Sequence, residues 1–123
     1  NNYYKGCGQR LPLTAYPYMH IYNNYYDGSG GFYTNSYAIG ARYGAYTLVV
    51  ENNKFMSSIS TALKASTKAS GKCYTSGNSG DSGDLATTKT KPFEVPYAYS
   101  PVSAADLADT LATVTGTGTL VLK

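Results

Sequence analysis

The apolar positions fall in short runs that alternate with polar ones. In "PYMHIY" (17–22), Tyr18, His20 and Tyr22 alternate with Met19 and Ile21, and "AYTLVV" (45–50) is β-branched and aromatic. Both read as short strands, because a period of two places successive side chains on opposite faces. Each run ends in a pair of asparagines: "NNYYDG" (23–28) after the first and "NNKF" (52–55) after the second, while the chain opens with "NNYYKG" (1–6). The copies begin 22 and then 29 residues apart. Self-similarity at this spacing marks a solenoid whose units stack on one another. A short strand, Asn-Asn and a second aromatic strand, repeated, predict a parallel β-helix coil. Asparagine suits the corner because it tolerates a left-handed backbone and bonds nearby main chain. Stacked amides can also bond one another as a ladder.

Glycine-rich breaks, "DGSGG" (27–31) and "IGARYG" (39–44), read as turns leaving the coil. The coils are expected over about residues 1–55. Beyond Phe55 the chain turns small and polar, and 56–91 reads as a long surface loop or a decorated strand. Its "GNSGDSGD" stretch lacks both the EF-hand spacing and the nonapeptide repeat of calcium β-rolls, and reads as solvated loop. "KPFEVPYAYSP" (91–101) carries three prolines and predicts an extended strap. Ser103 and Asp106 then resemble a capping box, with Val102 as the staple. Leu107, Leu111 and Val114 share one helical face, predicting a helix over 104–114 that stops near Gly116. Strap and helix together span 92–116.

Composition narrows the function classes. The 123 residues are one domain at most, or a piece of a larger one, and 42% hydrophobic content suffices for a core. Fourteen tyrosines argue against disorder. The net charge of +3 comes from scattered Lys and Arg, without the basic stripe of a nucleic-acid binder. No stretch approaches the roughly 20 apolar residues of a membrane helix. Sparse charge, abundant Ser, Thr and Tyr, and only two cysteines suggest a secreted protein. Cys7 and Cys73 either pair with each other or stay free, or Cys7 pairs with a cysteine upstream, and the two are too few for a disulfide framework or a zinc site.

Few residues offer chemistry. The single histidine, His20, lies mid-strand between tyrosines and reads as a hydrogen-bonded structural residue. No carboxylate pair, phosphate loop or metal-ligand spacing is present. What remains is "CGQRLPLTAYPYMHIYNNYY" (7–26). This segment resembles the Arg-x-Pro region of the pectate lyase superfamily, polysaccharide lyase family 1. The resemblance continues through "YAIGARYGAYTLVVENNKF" (37–55) and "PYAYSPVSAADLADTLATVTGTG" (96–118). Each motif is weak alone; their order and spacing make them strong.

The resemblance implies a right-handed parallel β-helix of about three coils, a polar loop and a C-terminal helix. It also implies a Ca2+-dependent lyase that cleaves pectate, an α-1,4-linked polygalacturonate, by β-elimination. Arg10 would remove the C5 proton beside the substrate carboxylate, with Pro12 completing the motif. Free arginine stays protonated to above ~12, so alkaline pH favours its base form. The family's second, substrate-gripping arginine and a following glycine are replaced by Ala15 and Pro17, whereas His20 and Asn23 are in place. Arg42, one coil later, is the candidate to grip substrate instead. The family's calcium-binding aspartates and a substrate-binding lysine lie upstream of the matching segment. The chain is therefore expected to be a C-terminal portion of a longer lyase, with the N-terminal part of the same β-helix as its partner and low or no activity alone. Two rival readings remain: a non-catalytic β-helix, either carbohydrate-binding or allergen-like, presenting Tyr16, Tyr18, Tyr25 and Tyr33, and a pectin lyase acting on methylated polymer without calcium.

Overall fold

The structure, a computed structural model, describes residues 1–32 and 36–114. Tyr33, the side chain of Val114 and the helix stop near Gly116 lie outside the described residues. The first coil comprises β1 (Tyr3–Lys5), β2 (Leu13–Ala15) and β3 (Tyr18–Tyr22). The second comprises β4 (Tyr25–Asp27) and the long β5 (Tyr37–Glu51). The third comprises β6 (Lys54–Phe55), β7 (Thr61–Ala65) and β8 (Ala69–Ser76). Single bridges at Ser79 and Gly83, followed by β9 (Thr87–Thr88), begin a fourth.

All the strand pairs are parallel, and each strand pairs with its counterpart one coil later. The first face is β1-β4-β6. The second is β2, the first part of β5, and β7. The third is β3, the rest of β5, β8 and β9. β5 passes from the second face to the third at Gly44, whose φ of +66° suits a residue without Cβ. The Tyr16 ring lies against this glycine, so close that a Cβ there would sit 2.1 Å from Cε1. These parallel faces, stacked coil on coil, make the molecule a parallel β-helix.

The asparagine corner forms as expected and has one rung more than the repeats suggested. Asn2 Nδ2 donates to Asn24 Oδ1 at 3.0 Å, Asn24 Nδ2 donates to Asn53 Oδ1 at 3.0 Å, and Asn53 Nδ2 donates to Asn78 Oδ1 at 3.0 Å. Asn23 and Asn52, which precede two of these rungs, have φ of +51° and +52°. On the fourth rung Gly77 takes this place with φ +62°, so "GN" at 77–78 is the structural equivalent of "NN". Inside the coils Tyr4, Tyr26 and Phe55 form a continuous stack, with ring centroids 5.0 and 4.8 Å apart. Ile21, Ile39, Leu48, Val50, Leu63 and Cys73 fill the rest of the core.

The expected loop over 56–91 is a correction. Most of it is coil: β7, β8 and β9 extend the second and third faces. The segment reads as loop because its small residues give little apolar alternation. It is nonetheless held as strand by backbone pairing and by close approach to the preceding coil, so that a Cβ on Gly83 would meet Leu63 O at 2.1 Å. The helix is likewise shorter than expected. α1 runs Leu107–Val114, with 104–106 forming a turn closed by Asp106 N–H to Ser103 O at 3.1 Å. The Ser103 hydroxyl bonds the Asp106 carboxylate at 2.8 Å, so the cap is a side-chain pair. Leu107 and Leu111 are buried as predicted, and α1 packs beside β4.

Candidate functional site

Arg10 has a left-handed backbone, with φ of +66°. For a residue with a Cβ this costs about 1–2 kcal/mol and persists only where the surroundings enforce it. Here they do. Tyr37 N–H donates to Gly8 O at 3.0 Å, Leu11 N–H to Ala38 O at 2.8 Å, and Gly40 N–H to Pro12 O at 2.9 Å. The motif is thus stitched to β5 on both sides of Arg10, and the Arg10 side chain is exposed.

The side chain borders a cleft of about 300 Å³ on the second face. Leu13, Tyr37 and Gly40 supply its apolar lining, and Arg42 and Lys64 border it with Arg10. Gly40 is necessary to this shape, since a Cβ there would stand 2.6 Å from Tyr37 Cε2 and 2.9 Å from Leu13 Cδ1. Arg42 lies at the register shift in the pairing of β2 with β5, between Ala41 and Tyr43, and its guanidinium lies 5.2 Å from the Tyr43 ring centroid. The Ser66 hydroxyl holds the Arg42 carbonyl from the next coil. Ala15, where the family motif has its second arginine, is exposed and pairs with Tyr43. The structure therefore brings Arg10 and Arg42 to one cleft, with Arg42 next in chain to Tyr43, the pairing partner of Ala15.

Lys64 was missed from sequence because it lies in the segment read as loop. Its ammonium stands 3.0 Å from Asp84 Oδ2. Asp84 Oδ1 also accepts the Ala65 N–H at 2.8 Å. Burial works to raise the Asp84 pKa, but the Ala65 N–H and the Lys64 ammonium outweigh it and hold the carboxyl below its ordinary value.

A family model described as pectate lyase matches residues 1–120. The chain belongs to the pectate lyase family. No curated protein and no solved structure matches it. Membership supports pectate-lyase-like function on a polysaccharide in general terms.

The remaining sequence candidates lie elsewhere. His20 is on the third face, away from the cleft. Its Nε2 is 3.2 Å from Glu51 Oε2 and its Nδ1 is 2.9 Å from the Tyr97 hydroxyl. A neutral imidazole satisfies both, donating to Glu51 and accepting from Tyr97. The disulfide between Cys7 and Cys73 does not form. Cys73 is fully buried in the core, where burial pushes its thiol pKa up to about 12, while Cys7 is exposed. A calcium ion needs six to eight oxygen ligands, mostly carboxylate and carbonyl. The described cleft residues do not fit one: the charges bordering it are three cations, and the nearby Asp84 is engaged by Lys64. Among the described residues no three His, Cys, Asp or Glu side chains stand together as a metal site. In "GNSGDSGD", Asn78 completes the ladder and Asp84 pairs with Lys64, so this stretch is coil.

Proposed function

We propose that the protein cleaves polygalacturonate by β-elimination with Arg10 as the base. The observation that carries this is the enforced left-handed backbone that sets the Arg10 side chain at a cationic cleft. The polymer's carboxylates would face Arg42, whose charge replaces the arginine absent at Ala15. Arg10 would take the C5 proton, and the electron pair left beside the carboxylate would form a double bond as the C4–oxygen bond breaks. The leaving oxygen then takes up a proton. Neutral arginine is the base, so turnover is expected to rise towards alkaline pH. Calcium belongs to the proposal as a cofactor bound by groups other than the described cleft residues, and chelation by EDTA is expected to abolish turnover. A polymer substrate is met outside the cell, so secretion is part of the same reading.

The test follows ultraviolet absorbance of the unsaturated product from polygalacturonate, in the full-length protein and in Arg10→Ala. Loss of about a hundredfold or more in kcat is expected on removing the base. Cleavage that does not depend on Arg10 would overturn the mechanism.

One observation favours a second reading. Tyr16 and Tyr18 are each 71% exposed, and such rings suit stacking on sugars in a non-catalytic binding protein. Pectate retention without product would select it. Preference for methylated over unmethylated polymer would instead select pectin lyase, which the three cations of the cleft disfavour.

A further inference from the structure

We propose that Lys64 and Asp84 form an exchangeable ion pair that provides a third carboxylate-binding position in the cleft. Its substrate class rests on the lyase reading above. Three observations support it. Arg10, Arg42 and Lys64 come from three successive coils and border a single cleft, so a chain laid across the coils meets one cation per coil. Coils stack at the strand spacing of about 4.8 Å, a distance comparable to one sugar ring. Lys64 is also in register with Gly40 and, through it, with Leu13, on the column that forms the apolar lining.

The pair itself is built for exchange. Both side chains are about half exposed, at 48% and 50%, and an ion pair in that setting contributes little to stability. Asp84, however, is fixed independently by the Ala65 N–H. It stays in place when Lys64 leaves, and it holds the ammonium at the cleft edge when no substrate is present. A galacturonate carboxylate offers Lys64 the same partner chemistry as Asp84. A methyl ester offers no charge and cannot compete. The pair therefore acts as a filter for unesterified polymer, with Lys64 as a positioning and specificity residue rather than a catalytic one.

The test measures KM and kcat of the full-length protein on polygalacturonate and on fully methylated pectin for wild type, Lys64→Gln, Lys64→Arg and Asp84→Asn. Lys64→Gln is expected to raise KM for polygalacturonate about fivefold, with kcat unchanged and no effect on methylated pectin. Lys64→Arg should restore wild-type KM. Asp84→Asn keeps an acceptor for Ala65 while removing the competing charge, so KM should fall, and fall less in the Lys64→Gln background. An unchanged KM in Lys64→Gln, or an equal loss on both polymers, would overturn the proposal. Where Arg10→Ala abolishes turnover and Lys64→Gln changes nothing, the lyase reading stands and only this inference fails. Where the wild type gives no unsaturated product, the lyase reading itself fails, and direct polygalacturonate binding by the Lys64 variants still decides the pair.

Discussion

Asn53 shows how much one side chain holds in this fold. It is fully buried; its amide nitrogen donates to Ile21 O, Glu51 O and Asn78 Oδ1, and its Oδ1 accepts from both the backbone and the side chain of Asn24. Asn53→Ala strands several of these groups and is expected to cost about 3 kcal/mol, read as a fall in the urea midpoint. Thr14 is the opposite case. Its hydroxyl is buried without a partner, so Thr14→Val should raise the midpoint by about 1 kcal/mol of stability. The Asn ladder was legible because Asn-Asn repeats as letters. Its fourth rung was not, because the left-handed position there is filled by Gly77, which achieves the same backbone with a different residue.

Among the elements, the strap over 91–102 is the one whose docking depends on charge. Glu51 accepts the Tyr99 hydroxyl at 2.6 Å and stands 3.0 Å from Lys91. Asn23 Nδ2 donates to Val102 O at 2.7 Å, and Asn23 Oδ1 accepts the Val102 N–H at 2.9 Å. Tyr97 bonds His20, and Phe93 meets Tyr18 edge-on at 5.5 Å. Burial holds the His20 pKa below its ordinary value of 6.5, more strongly than Glu51 pulls it up, and Lys91 adds to the lowering. The unfolded chain therefore takes up the His20 proton at higher pH than the folded one. Stability from this residue is complete above about pH 6.5 and is lost as pH falls below it. Glu51 is held below its ordinary 4.5, since Tyr99, Lys91 and His20 together outweigh its burial, so its contribution is lost at lower pH still. Thermal melts from about pH 8 to about pH 5 should show a falling Tm that His20→Gln flattens. The strap and its prolines were legible in sequence. Its partners were not, because Glu51, His20, Asn23 and Tyr18 lie far along the chain and meet the strap only once the coils have formed.

For the molecule as a whole, the stacked coils divide inside from outside, and the cysteines report that division. Cys7 should react with a thiol reagent in the native state and Cys73 only after unfolding, with no change in Tm on adding reductant. Faster labelling of Cys73 than global unfolding would show that the coil end opens locally.

By itself the sequence determined the stacking: strand runs closed by recurring Asn-Asn pairs specify a parallel coil, because pleat period and corner chemistry are local properties. It also singled out Arg10 as the candidate base, through a motif confined to one coil. Only the tertiary structure decided that residues 56–91 extend the helix, because small residues pair through backbone and leave little trace in side-chain pattern. Only it joined Arg42 and Lys64 to Arg10. Residues separated by a full turn of chain become neighbours through coil register, which is fixed by backbone hydrogen bonds between coils.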